Sequence, residues 1–165
     1  MKIRIKNTGQ VMSLDEFKLL HSVITFEKHI AESTLNELGA DVVFEGPQAS
    51  GGTVYQYSQY GGVEQIDGKW FTKYVLGPIF TDVVLENGTT ITAATLETSY
   101  KKVKDDERAV SMRAERDGLL TQTDWTQLLD SSDANKAAWT TYRQALRDIT
   151  SQSGFPWSVT WPVKE

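Results

Sequence analysis

The strongest constraint on the fold is a change of period part-way along the chain. Between Asp41 and about Thr92, β-favouring residues recur in short runs: Val42-Val43-Phe44, Thr53 to Tyr57, Val63 to Ile66 and Lys69 to Leu76. From Ala93 to Asp117 there is neither glycine nor proline, and Ala, Lys, Glu, Asp and Arg dominate, so this stretch reads as one long helix ended by Gly118. We therefore expect an α+β protein. Residues 1–92 form a small N-terminal domain of mixed helices and antiparallel sheet, and 93–165 form a long linking helix with a C-terminal tryptophan-rich helical module.

Local signals fill in the elements. Lys2 to Lys6 alternates polar and apolar side chains, the pattern of a strand with one buried face, and Asn7-Thr8-Gly9 supplies a turn. Ser13 and Glu16 have the spacing of a capping box, which predicts a helix over Leu14 to Ser22. A second helix is expected from Phe26 to Leu38, with Gly39 placed for a left-handed cap. Asp67-Gly68 and Asn87-Gly88 tolerate positive φ at both turn positions, so each predicts a tight hairpin. Ser131-Ser132-Asp133 offers caps to a last helix over about Ala134 to Thr150. Prolines should hold Phe155-Pro156-Trp157 and Trp161-Pro162 extended. On the long helix, Leu96, Tyr100, Val103, Val110 and Ala114 follow a 4-3 spacing that Glu107 and Asp117 interrupt, which leaves a homo-oligomer through 93–117 open without predicting a sustained coiled coil.

Composition excludes several kinds of chemistry. The 165-residue chain has no cysteine, so disulfides, thiol catalysis and cysteine-based zinc sites are out. Seventeen basic against twenty-two acidic residues give a net charge of −5, which supplies no excess cation for a phosphate backbone, and no nucleic-acid partner is expected. The longest apolar run, near Tyr74 to Phe80, is far short of the roughly 20 residues that span a bilayer. The opening residues also lack the apolar stretch of a signal peptide. A soluble protein without a membrane partner is the expectation.

Motifs that could carry catalysis fail on detail. Gly46 to Thr53 superficially matches a phosphate-binding loop, but Gly52 stands where the lysine would be, and a polar loop between strands explains the glycines as well. His21 and His29 fall on two predicted helices without an acidic third ligand, and Ser22 beside His21 is not a nucleophile arrangement. The reading is of a protein with no catalytic, metal or cofactor site. What stands out is Trp125, Trp139, Trp157 and Trp161, beside Phe155, within the last 41 residues. Aromatic rings can form the core of a small module or anchor a partner. We expect Trp125 and Trp139 to be mainly core, Trp157 or Trp161 partly exposed, and Arg143 and Arg147 solvated on one helix face.

The residues Arg113 to Leu120, Thr123-Asp124-Trp125 to Leu128, Ala138-Trp139 to Ile149 and Gly154-Phe155-Pro156-Trp157 through Trp161-Pro162 occur in an order that resembles the C-terminal module of the phage tail assembly chaperone family. Members of this family are often called tail-fibre assembly proteins. The resemblance covers about Val103 to Pro162. One departure is Leu129, where the family commonly has a proline; leucine keeps its amide and leaves φ free. The resemblance implies a non-enzymatic protein of tail morphogenesis, without cofactor, whose partner is a phage tail or tail-fibre protein. It would act in the host cytoplasm during assembly, or as a permanent subunit near the fibre or baseplate of the virion tail. The residues we assign to partner contact are Trp139, Tyr142, Arg143, Arg147, Phe155, Trp157 and Trp161.

Overall fold

A computed structural model describes residues 1–27, 30–128 and 136–163. Within it the chain divides into two compact units, Met1–Ile79 and Phe80–Glu165. The architecture is α+β, with a sheet and small helices first and a long helix with further helices after it.

The first unit is built on β1 (Lys2–Ile5), β2 (Val11–Ser13), α1 (Leu14–Leu20), α2 (Glu32–Glu37), β3 (Ala40–Phe44), β4 (Tyr57–Ile66) and β5 (Lys69–Gly77). The five strands lie in the order β2-β1-β3-β5-β4, and every pair is antiparallel except β3–β5, which is parallel. Alternation along β1 and β3 sends Ile3, Ala40 and Val42 to one face. There they meet Met12, Phe17 and Leu35 in a core flanked by Phe26, Ile30 and Leu38. On the other face Arg4 lies 3.9 Å from the centroid of the Trp70 ring and pairs with Asp41.

The capping box forms as its spacing implies. Glu16 N–H donates to Ser13 Oγ at 3.2 Å, and Ser13 N–H donates to the Glu16 carboxylate at 2.7 Å. Among the described residues of the expected second helix, which exclude Lys28 and His29, only Glu32–Glu37 lies in an α-helix. In a continuous helix Phe26 and Leu35, nine residues apart, would point about 180° from each other, yet both belong to one core. The chain therefore runs irregularly through Phe26 before turning into α2. Gly39 does take the left-handed conformation, with φ +72°.

One strand expectation is corrected, and that for Val63 to Ile66 holds as part of a longer strand. Thr53 to Gln56 is a turn, in which Gln56 N–H donates to Thr53 C=O at 3.0 Å, and the strand starts at Tyr57. The strand then continues to Ile66 through a register shift between Tyr60 and Val63, where Gly62 has φ +111°. Gly46, first residue of the loop that mimics a phosphate-binding motif, donates its N–H to the buried Thr72 Oγ1 at 2.8 Å. A Cβ at Gly46 would collide with the Thr72 carbonyl. Close packing of a loop on β5 accounts for this glycine.

The second unit opens with a hairpin of β6 (Val83–Val84) and β7 (Thr90–Ile91). Both Asx-Gly dipeptides make hairpins by different geometries. Asp67 and Gly68 have φ of +48° and +77°, the pair of positive values expected of a two-residue turn. At the second turn Gly88 is left-handed and donates to Leu85 C=O, while Leu85 N–H donates to Thr89 C=O, giving a longer turn with a glycine bulge. α3 (Ala93–Gln122) follows, with Thr92 capping the Thr95 amide. Asp82 also accepts from Ala93 N–H at 2.8 Å, and the Phe80 ring packs against Tyr100 at a tilt of 54°. These contacts tie the hairpin to the helix.

Gly118 does not end α3, which runs on to Gln122. Leu119 and Leu120 are half-buried, and their burial continues the helix through the glycine. A 3-10 turn at Asp124–Gln127, α4 (Lys136–Asp148) and a second 3-10 turn at Ile149–Ser151 complete the unit. The expected caps Ser131 to Asp133, the start of the last helix at Ala134, the Leu129 departure and His29 lie outside the described residues. Gly154 to Ser158 is a tight turn instead of an extended segment, with Ser158 N–H donating to Gly154 C=O at 2.7 Å and a cis peptide at Phe155–Pro156.

Two measurements check this account. Hydrogen bonds from the Ser13 amide and hydroxyl hold the Glu16 carboxyl below its ordinary value of 4.5. The cap is therefore complete above 4.5 and is lost as pH falls through the lowered value. The Ser13 amide shift in NMR should titrate with a midpoint below 4.5 and lose this titration in Glu16→Gln. Separately, a Cβ at Gly118 meets nothing within 4 Å. Gly118→Ala should stabilise the protein by about 0.5–1 kcal/mol in thermal unfolding, and a lower melting temperature would show that this glycine is structurally required.

Candidate functional site

The candidate site is the C-terminal part of the second unit, where α3, the 124–127 turn and α4 pack together. Its interior is small: Ala109 and Met112 from α3, Thr126 from the turn, and Leu146 and Ile149 beyond it. So little aliphatic surface leaves polar contacts to set the geometry.

Arg143 sets it. The side chain is only 7% exposed, in contrast to the solvated position expected for it. Nη1 donates to Leu120 C=O at 2.6 Å and to Thr123 Oγ1 at 2.7 Å, and Nη2 pairs with Asp124 at 2.7 Å. The Thr123 hydroxyl in turn lies 2.9 Å from Leu119 C=O and 3.0 Å from Leu120 C=O. Carbonyls in the last turn of a helix lack partners within it. One guanidinium and one threonine supply them here, in place of the glycine cap that the sequence suggested. Arg147, one turn further along α4, is exposed, so the two arginines do not share an environment.

The tryptophans also divide differently from expectation. Trp125 is 57% exposed and is not mainly core. Its ring meets the half-buried Trp139 edge-on at 5.7 Å, and Trp139 meets Tyr142 in the same way at 5.9 Å. The three rings form a ladder from the 3-10 turn along α4. Leu128, also 57% exposed, lies one residue beyond the turn. Sequence reasoning missed this pair as surface, because an isolated Trp in a helical context is a strong core signal and the 3-10 geometry that turns it outward has no sequence mark of its own.

Phe155, Trp157 and Trp161 are half-buried and belong to the final segment. Arg113 of α3 lies over the Phe155 ring at 5.4 Å, and Trp157 Nε1 donates to Asp105 at 2.5 Å. Gln152 holds Thr160 from both sides, its amide donating to the carbonyl and accepting from the N–H, each at 2.8 Å. The structure thus gathers Trp139 and Tyr142 with Trp125, and places Phe155 and Trp157 against α3. Elsewhere, His21 packs on Phe17 at 4.5 Å between ring centroids. Among the described residues no group of three His, Asp or Glu is placed to hold a metal ion, and no helix is long and apolar enough to cross a membrane.

This is a small helical module whose chemistry is packing and ring surface. Residues 109–164, about a third of the chain, match the family model described as phage tail assembly chaperone protein, in agreement with the resemblance carried by its motifs. The match supports a role in phage tail assembly for this module. Neither the curated proteins nor the solved structures give a match.

The arginine assignment can be checked directly. Arg143→Met removes three charge-assisted bonds and opens the end of α3, and should lower stability by about 2–4 kcal/mol. Arg147→Ala should stay within about 0.5 kcal/mol of the parent. Equal effects of the two changes in chemical denaturation would show that Arg143 has no special place in the module.

Proposed function

We propose that the chain is a non-enzymatic phage tail morphogenesis protein. It assists assembly of tail or tail-fibre subunits in the host cytoplasm by holding a tail protein against its C-terminal module. The observation that carries this reading is the exposed Trp125, backed by Trp139 and Tyr142 and flanked by Leu128, inside the segment that matches the family. Tryptophan, tyrosine and arginine dominate interface hot spots because each joins a large apolar area to a polar handle. A ring packed edge-on against Trp139, which is itself braced by Tyr142, loses little freedom when a partner covers it.

Within the seven residues assigned from sequence, the roles divide. Trp139 and Tyr142 support the Trp125 ring, and Arg147 is free to meet an acidic group of the partner. Arg143 acts through positioning, because it holds the turn that presents Trp125. Phe155, Trp157 and Trp161 brace the final segment and offer their open edges at the rim.

Trp125→Ala combined with Leu128→Ser should leave the melting temperature within a few degrees of the parent, since both side chains are more than half exposed. It should also abolish co-purification with tail proteins from co-expressing cells. Retained co-purification would place the interface elsewhere. Mass spectrometry of purified particles separates the chaperone from a permanent subunit: the proposal expects the chain to be absent, and a fixed copy number would make it a virion component.

A further inference from the structure

The sheet of the first unit has a gap, and its geometry fits one kind of occupant. β3 is paired to β1 along Ala40 to Val43, but on its other side the ladder to β5 begins only at Val43, opposite Trp70. Beside Ala40, Asp41 and Val42 on that side lies a cavity of 270 Å³ between β3, α2 and the Asp67–Gly68 turn, lined among others by Ser33, Asn36, Phe44 and Lys69. Its walls come from both faces of the sheet. Phe44 shares the helix-covered face with Ala40 and Val42, whereas Trp70 lies on the face of Arg4 and Asp41. A pocket on top of a sheet has walls from one face, so walls from both mean that the cavity lies in the sheet's own plane.

The backbone groups agree. Lys6 N–H donates to Gly39 C=O, and strand groups alternate in direction, so Gly39, Asp41 and Val43 turn to β1 while Ala40 and the Val42 N–H turn to the gap, the Val42 carbonyl closing the Val43–Trp70 bridge. An open strand edge recruits another extended backbone. The volume is below the roughly 300–1,000 Å³ typical of cofactor and small-molecule sites, and the open edge is about 10 Å long at 3.3 Å per residue. Both suit a two- or three-residue stretch of extended chain. Its successive side chains would point alternately to Phe44 and to Trp70.

We propose that this gap is a β-addition site that takes an extended segment of the tail protein. The partner's source rests on the function proposed above; the occupant's extended form rests on the gap alone. The segment completes the row between β3 and the 67–68 turn, and its main chain bonds the Ala40 and Val42 amides.

The test uses the full chain and an array of overlapping ten-residue peptides covering the tail proteins encoded in the same phage genome. At least one contiguous group of peptides should bind and slow hydrogen exchange at the Ala40 and Val42 amides. Ser33→Trp, an exposed position on the gap's helical wall, should abolish that binding with an unchanged melting temperature. N-methylation of the peptide's central amides should weaken binding about tenfold or more, the value of a lost backbone hydrogen bond with added bulk. Absence of any binding peptide, or binding indifferent to both Ser33→Trp and N-methylation, overturns the site. Co-purification through Trp125 is read separately, so a failed gap with an intact Trp125 effect rejects only this inference.

Discussion

The buried Arg143 guanidinium is the interaction on which the second unit depends. A module with a core of Ala109, Met112, Leu146 and Ile149 buries little apolar area, so at about 25 cal/mol per Å² its hydrophobic stabilisation is limited. The polar fork compensates by acting on three groups at once: the Leu120 carbonyl at the end of α3, the Thr123 hydroxyl, and the Asp124 carboxylate at the start of the turn. A lysine offers a single point charge and could not hold all three in one plane. The direction in which the chain leaves α3, and hence the outward aim of Trp125, follows from this fork.

Much of the fold was legible wherever local chemistry decides the outcome. The Ser13–Glu16 box starts α1, Gly39 takes the left-handed position after α2, and both Asx-Gly pairs make hairpins. Each of those features is settled within four or five residues. The failures share a different cause. The expected second helix does not include Phe26 because one core claims both Phe26 and Leu35, and Gly118 failed to stop α3 because the apolar residues beyond it are half-buried. In both places tertiary packing overrode a sound local signal.

For the candidate site, the sequence marked the family-matched module and blurred the environments of the residues within it. The family motifs placed the module correctly, and they include Arg143 and Trp125. Spacing alone could not say which arginine of a pair one turn apart points inward, since both lie on nearly the same helix face. That choice is made by the end of α3, which is close in space to Arg143 and 23 residues away in sequence. The Phe155 turn was misread for a related reason, because proline rigidity is compatible with both a straight and a folded segment.

Closing the end of α3 with a residue from α4 also makes the two helices one cooperative unit. A helix with its own glycine cap keeps its last turn when its neighbour departs. Here the Leu120 carbonyl loses its guanidinium donor when α4 lifts away and keeps only the Thr123 amide and hydroxyl, while Asp124 loses its ion pair, so the Trp125 turn is held less firmly. The ladder of Trp125, Trp139 and Tyr142, two of whose rings stand on α4, therefore exists only while the whole module is folded.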